Sequence, residues 1–542
     1  MTDIEIPYEK DRNRTYRFFE ILPGALSWSM LALPFVLSFI NVTFASFFIL
    51  AYLLVFFFRS MAVNVRAFQG YNMLQKHRRL PWHDMLAELQ DLRAKSPHTK
   101  RPQWHVDNLE ALRAKPPILK PDDIFHAVII ATYNESREVL EPTIQSVMNS
   151  DYDMKKVILV LAYEERGGPD IAEQAKSLIA EYQGKFHYAM AIQHPSNIEG
   201  EVRGKGGNIT YAAHVLQEHL ASEQVDPLRV IVTTLDSDNR PDPKYLAALT
   251  YIYCIYPDPL HVSIQPISMY TNNIWDAPAP MRVVATGNTY FNIVLALRPH
   301  MLRNFSAHAQ GMASLIQTNF WSVRTIVEDG HQFWRSYFRF DGNYRVVPLY
   351  VPIYQDAVLA DGYFKTFKAQ FVQLRRWTYG ASDIAYVITR GYFKPNKIPR
   401  WDLFTKTARL IESHVTWAAG AIITAMAGFI PALVHHNSYA ANEIPIIVSR
   451  IQTIALIGLS ASLFICFKTL PPKPERYKRH RSLFMLLQWI YLPVTTIVFN
   501  SFAALYSQTR LAMGKYFDKF DVTEKAVKTE SGETISHDVR EA

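Results

Sequence analysis

The 542 residues exceed what one compact domain holds and fit two or three. Only Cys254 and Cys466 are present and no C-x-x-C occurs, which excludes a disulfide framework and a four-thiolate zinc site. The formal charge of +8 comes from basic residues beside long uncharged runs, a pattern that points to an anionic membrane surface and away from a nucleic-acid partner.

Those runs come first along the chain. Residues 21–58 carry no charge, enough for two spanning helices of about 20 residues each, with a break expected around Asn41. Lys10, Arg12, Arg14 and Arg17 precede the run and Arg59 and Arg66 follow it. By the positive-inside rule both ends of this 21–58 hairpin face the cytoplasm, including an N-terminal segment 1–20 and a linker with interface helices over 59–120.

Residues 121–395 alternate strand and helix patterns. Apolar runs at 126–131, 157–161, 188–192 and 230–235 read as strands; helical periodicity covers 138–148, recurs at Ile171, Ala175, Leu178 and Ile179, and returns over 210–220. Such repetition predicts an α/β domain with a mostly parallel, Rossmann-like sheet, whose ligands bind at the carboxyl ends of the strands. The residues just after those strands are polar: Thr132-Tyr133-Asn134-Glu135, Tyr163-Glu164-Glu165 and Asp236-Ser237-Asp238. Asp236 and Asp238 stand two apart, so on extended backbone both carboxylates point one way and suit a hard cation. Arg203-Gly204-Lys205-Gly206-Gly207-Asn208 opens a helix and offers amides and a cation to a phosphate. Neither the P-loop nor G-x-G-x-x-G occurs, which disfavours an ATPase or a Rossmann dehydrogenase.

A second membrane group follows an interface helix expected at 396–412. Within 413–509, residues 413–434 and 451–467 read as spans joined by a loop over 435–443. The basic run Lys468, Lys473, Arg476, Lys478, Arg479 and Arg481 returns the chain to the cytoplasm. The last uncharged stretch, 482–509, contains Pro493 and reads as one kinked span or a re-entrant passage. Residues 526–542 are polar and charged and are expected to be disordered. His331, His435 and His436 lack ligand spacing and read as packed or solvated histidines.

In order, Ala-Thr-Tyr-Asn-Glu (131–135), Lys-Gly-Gly-Asn (205–208), Asp-Ser-Asp (236–238), Val-Glu-Asp (327–329) and Gln-Leu-Arg-Arg-Trp (373–377), flanked by membrane runs, resemble the membrane glycosyltransferases of family 2. Cellulose, chitin and hyaluronan synthases share that organisation, and Phe520-Asp521-Val522-Thr523-Glu524-Lys525 looks like the gating-loop motif of cellulose synthases, within a segment 510–525. The resemblance implies a cytoplasmic GT-A-type domain with an α-helical transmembrane region in the plasma membrane. It implies that Thr132, Glu135 and Glu164 border the nucleotide, although Glu164 stands where relatives usually have Asp. Lys205 would meet the diphosphate, Asp236 and Asp238 would hold Mg2+ or Mn2+, and Asp329 would be the general base of an inverting transfer. Val327 replaces the usual Thr, and Leu374 the usual Gln or Arg. Gln373, Arg376 and Trp377 would contact the acceptor, and Phe520, Val522, Thr523 and Lys525 would gate the site.

The expected partners are a nucleotide-sugar donor, a UDP-sugar above all, and a polysaccharide. A lipid-linked acceptor is the alternative within the same chemistry, and a noncatalytic membrane protein the alternative outside it. A gating segment must lie on the catalytic side, which favours a re-entrant or paired short passage over 482–509.

Overall fold

The computed structural model describes residues 4–93, 101–517, 526–528 and 534–536. Two long helices open it, α1 (Arg14–Ile40) and α2 (Val42–Arg78). Asn41 separates them in extended backbone, and its side chain accepts from the Thr43 amide at 2.7 Å, capping α2. Asn13 caps α1 in the same way through the Tyr16 amide. At about 1.5 Å per residue α2 is far longer than a bilayer is thick. It does not stop at Phe58 but continues into the α/β domain, where Gly70 lies flush on Ile293 and Arg78 pairs with Asp242 at 3.1 Å. A Cβ at residue 70 would come within 2.7 Å of Ile293, so glycine sets how closely these elements approach. The region expected as a separate linker is therefore partly the end of α2.

The domain is built on an eight-stranded sheet of β1 (Phe125–Thr132), β2 (Val157–Glu164), β3 (Tyr188–His194), β4 (Val230–Asp236), β5 (Arg240–Pro241), β6 (Val262–Tyr270), β7 (Ala309–Gly311) and β8 (Arg345–Gln355), in the order β3-β2-β1-β4-β7-β6-β8-β5. β3, β2, β1 and β4 are parallel, as are β6 and β8; β7 runs antiparallel between β4 and β6. The α/β expectation of a mostly parallel sheet holds. Alternation along β1 sends Val128 and Ile130 to one core and Ala127 and Ile129 to the other. The first core meets helices Arg137–Met148, Pro169–Tyr182 and Tyr245–Ile255; the second meets Lys205–Ser222 through Ile209, Ala212, Ala213 and Leu216. Covered on both faces, β2 is buried along its whole length.

Among the described residues, five helical segments are long and apolar enough to cross a membrane: α1, α2, Arg400–Val434, Tyr439–Thr469 and Arg481–Ala512. Three boundaries differ from expectation. The interface helix and the third segment are one helix from Arg400, and the fourth begins at Tyr439, where the Ser438 side chain caps it, instead of near residue 451. The third difference concerns the last segment, which is a single helical run and not a pair of short passages. It touches the α/β domain throughout: Arg481 donates to the Trp275 carbonyl at 2.7 Å, Arg282 to Gln488 at 2.5 Å, Thr378 to the Ala503 carbonyl at 3.2 Å and Ser507 to the Arg375 carbonyl at 2.6 Å. The same run also bonds the bundle: Ser501 donates to the Trp417 carbonyl at 3.2 Å and Gln508 to the His414 carbonyl at 2.9 Å.

At that end Arg17 of α1 donates to the carbonyls of Leu511 (2.7 Å) and Ala512 (2.5 Å), which supplies a cation to the helix C-terminus. Part of the tail expected to be disordered is ordered: β9 (Ala526–Lys528) and β10 (Thr534–Ser536) pair antiparallel, and the Ala526 amide donates to the Leu359 carbonyl at 2.9 Å. Phe520, Val522, Thr523 and Lys525 lie outside the described residues.

Candidate active site

The carboxyl ends of β1, β2 and β4 open into a cavity of about 1320 Å³ that runs from the sheet edge to the helical bundle. Thr132, Glu135, Glu164, Lys205, Asp236, Asp238, Asp329, Gln373, Arg376 and Trp377 all line it. Residues up to 245 positions apart in number thus share one chamber, which the sheet topology explains: β1, β2 and β4 are parallel neighbours, so their ends coincide.

Local contacts fix that rim. Glu135 accepts from Thr132 Oγ1 (2.8 Å), the Tyr133 amide (2.8 Å) and Ser237 Oγ (3.0 Å), which ties the end of β1 to the end of β4. Asn208 Nδ2 donates to the carbonyls of Ala162 (3.0 Å) and Thr132 (3.3 Å), tying β2 to β1. The two glycines before it are there for space. A Cβ on Gly206 would collide with the Ser322 carbonyl, and one on Gly207 would reach within 2.6 Å of the Glu201 carboxylate.

Lys205, at the start of Lys205–Ser222, is the centre of the charged group. Its Nζ stands 2.8 Å from Asp236 Oδ1, 3.4 Å from Asp329 Oδ2 and 4.0 Å from Glu328 Oε1. Burial disfavours this cation, but Asp236, Asp329 and Glu328 outweigh it and hold its pKa above the ordinary value. Glu328 and Asp329 form the first turn of Glu328–Arg339. Burial pushes the Glu328 carboxyl well above the usual carboxylate range, and the neighbouring Asp329 adds to the shift.

Two residues that no spacing pattern revealed complete the rim. Ser306 Oγ donates to Asp236 Oδ2 at 2.7 Å. His308 is fully buried; its Nε2 accepts from Trp321 Nε1 at 3.0 Å, which leaves the proton on Nδ1, directed at the Phe305 carbonyl (2.9 Å) with Asp329 Oδ1 at 3.6 Å. Burial lowers its pKa, so the ring is neutral. His331, by contrast, is a packed histidine bonded to Asp383 at 2.7 Å, and His435 bonds the Ser38 carbonyl at 2.6 Å.

Asp236 and Asp238 are hard oxygen donors, and Asp238 Oδ2 accepts from the Asp356 amide at 3.0 Å. Among the described residues no group of three or more metal-ligating side chains occurs. Two carboxylates nevertheless fit Mg2+ or Mn2+, since such ions use one or two protein carboxylates and take further oxygens from phosphate.

Glu164 is engaged by Arg166 (2.9 Å) and by His194 Nδ1 (3.0 Å), and His194 Nε2 meets Glu201 at 3.0 Å. Burial opposes the charged ring, yet the two carboxylates prevail and raise the His194 pKa to about 9. On the bundle side, Tyr363–Thr378 presents Gln373, Arg376 and Trp377 to the cavity, while Leu374 is buried against Phe499 and Ala503 of the last helical run. The Trp377 ring lies 6.1 Å from that of Tyr270.

No family model matches the chain, and no curated protein matches it. Among solved structures it is similar to the mannosyltransferase PcManGT from Pyrobaculum calidifontis in complex with GDP-Man and Mn2+, at 14% identity and a TM-score of 0.40, over 84% of this chain and 100% of that one. It is also similar to S. aureus TarS 1-349 in complex with UDP-GlcNAc, at 12% identity and a TM-score of 0.37, over 76% and 97%. Likenesses of this depth identify neither a family nor a substrate.

Proposed function

We propose that the chain is an inverting, metal-dependent glycosyltransferase of GT-A type, embedded in the plasma membrane with its α/β domain in the cytoplasm. It would transfer a sugar from a nucleotide sugar, a UDP-sugar above all, to a hydroxyl of a growing polysaccharide. The observation that carries this reading is the approach of Lys205 to within 3.4 Å of both Asp236 and Asp329 at the carboxyl ends of parallel strands. A carboxylate able to take the acceptor proton and a cation able to meet the leaving phosphate then line one chamber.

In that displacement Asp329 takes the proton from the acceptor hydroxyl while its oxygen attacks the anomeric carbon. The bond from that carbon to the diphosphate oxygen breaks on the opposite side, so the configuration inverts. Lys205 meets the charge that appears on the departing diphosphate. Asp236 and Asp238 would hold Mg2+ or Mn2+, which when bound neutralises further charge on the diphosphate. His308, neutral, stands beside that base with its Nδ1 3.6 Å from Asp329 Oδ1. Thr132, Glu135 and Glu164 would border the nucleotide, with Glu164 paired to Arg166 and His194. Gln373, Arg376 and Trp377 would face the acceptor, with the indole offering an apolar surface to a sugar ring.

The basic flanks of α1 and α2 and the run from Lys468 to Arg481 support cytoplasmic placement. Were the last helical run re-entrant instead of a fifth crossing, four crossings would remain, and an even number returns the chain to the side it started from. Residues 510–517 would then belong to the catalytic side.

The test is direct. Purified protein in lipid is incubated with a panel of radiolabelled nucleotide sugars and Mg2+ or Mn2+, beside the Asp329→Asn variant. Transfer from one donor by the native chain, lost in the variant, is the expected result; no transfer from any donor, or an active variant, refutes the reading.

A further inference from the structure

The far end of the same cavity is cationic. Arg59 on α2, Arg298 and Arg303 in the loop after helix Ala279–Ala296, and Arg409 on Arg400–Met426 all line it. Of the nearby acids, Glu412 pairs with one of these cations, Arg59, at 2.5 Å, and Asp402 with Lys406 and with the Tyr337 hydroxyl at 2.6 Å. Among the described residues no carboxylate forms an ion pair with Arg66, Arg298, Arg303 or Arg409.

These guanidiniums act on one another. Arg298 is held below its ordinary pKa by burial and then by Arg66, Arg59 and Arg409. Arg303 is lowered to about 10 by burial and Arg409, and is held in place over the rings of Phe333 (4.1 Å) and Trp334 (5.0 Å). Basic residues that merely anchor a protein to a membrane spread outward into water, where repulsion is screened. Here they converge on one end of the cavity from three elements, with Arg298 and Arg303 half-buried and Arg59 and Arg409 exposed, and Arg59 alone of these four has a carboxylate partner among the described residues. That arrangement costs stability unless an anion enters.

The surroundings say what carries the anion. Phe56, Val63 and Phe291 line the same end of the cavity, and Phe56 and Phe291 are exposed. On one side of the Arg59–Glu412 pair, α2 and the Arg400–Met426 helix pack through Ile49, Leu53, Ala419 and Ile423 within the bundle. The arginines lie at the level where the bundle meets the domain, which is headgroup depth if the bundle crosses a bilayer. A charged group flanked by apolar side chains at that depth matches an amphiphile.

We propose that this end of the cavity binds a phosphate carried on a lipid, with Arg298, Arg303 and Arg409 on the phosphate oxygens and the hydrocarbon passing Phe56 and Phe291. Guanidinium donors suit phosphate, since each presents several N–H groups in a fixed fork. The role rests on the sugar-transfer reading: a lipid phosphate in the chamber that contains Asp329 anchors a lipid-linked acceptor. The binding itself requires no sugar donor and is measured without one.

The full chain in detergent micelles is titrated by calorimetry with dioctanoyl phosphatidate, dioctanoylglycerol and inorganic phosphate. Phosphatidate is expected to bind, and dioctanoylglycerol to bind at least roughly tenfold more weakly. Replacing Arg298 and Arg409 together by Gln is expected to weaken phosphatidate by roughly tenfold or more, replacing both by Lys much less, and replacing Lys478 and Arg479 by Gln not at all. Should the Gln pair fail to fold, the single exposed-site variant Arg409→Gln carries the comparison. Equal binding of dioctanoylglycerol, an unaffected Gln pair, or an equal loss in the Lys478/Arg479 control overturns the site. Inorganic phosphate binding as tightly as phosphatidate overturns the lipid assignment. Phosphatidate binding without any nucleotide-sugar transfer would support the site and refute the function; the reverse result would refute the site alone.

Discussion

The two ends of one cavity carry opposite charge and reach opposite electrostatic states. Around Lys205, three carboxylates surround one cation, and Asp236 at 2.8 Å satisfies it. Around Arg303 and Arg409, cations gather without a carboxylate partner among the described residues. At the acidic end the one cation finds its partners within the chain; at the basic end Arg298, Arg303 and Arg409 have no carboxylate partner among the described residues. A site that must bind a metal and release a diphosphate needs fixed carboxylates, whereas a site that must attract an anion gains from leaving its cations unpaired.

Breaking the acidic end should have the largest effect. Asp329→Asn removes the carboxylate proposed as base and should lower turnover by ~10²–10⁴-fold while donor binding, followed by calorimetry, is retained. Glu328→Gln is the matched control. Burial already disfavours the charged form of Glu328, so the neutral amide should cost far less activity than the change one residue on. Equal losses in the two variants would mean that the pair works as a unit.

Next in size is the scaffold beneath Lys205. Gly206→Ala drives a methyl into the Ser322 carbonyl and should destabilise the fold by about 1–3 kcal/mol, read as a lower unfolding midpoint in detergent. Gly184→Ala, where a Cβ meets open space, should show no such clash.

The His194 clamp gives a pH signature. Its pKa rises from 6.5 unfolded to about 9 folded, so its contribution is complete below pH 6.5 and disappears as pH climbs through 9. The native chain should therefore lose stability relative to His194→Gln across that interval. Parallel melting curves from pH 6 to 10 check it, and a constant gap between the two proteins would rule out the clamp.

The smallest effect distinguishes the basic end most cleanly. Arg409→Gln relieves like-charge repulsion and should leave the unfolding midpoint unchanged or raise stability by ~0.5–1 kcal/mol in the absence of ligand. Added salt should shift the native protein upward more than the variant. A drop in stability would show that Arg409 is a structural partner and not a waiting one.

Much of the acidic end was legible in the chain. Strand ends announce themselves by an apolar run that stops at polar residues, and parallel neighbours bring those ends together, so Thr132, Glu164 and Asp236 could be placed from pattern alone. Ser306 and His308 could not. They lie in the segment between helix Ala279–Ala296 and β7, where no periodicity specifies which side chain turns inward. The basic end was hidden for a different reason: its arginines come from three distant elements and look individually like membrane-flanking charges. Hydropathy found the helices but not their limits. It has no term for a helix such as α2 that runs on from the apolar stretch into the α/β domain.

The clasp between Arg17 and the Leu511 and Ala512 carbonyls has a consequence for biogenesis. Together with the contacts of Gly24 and Ser27 to Gln508, it pairs α1 with a helix made some 480 residues later. One flank of α1 therefore stays uncovered until residues 508–512 have been made, and chains stopped before residue 508 should be cleared by proteolysis.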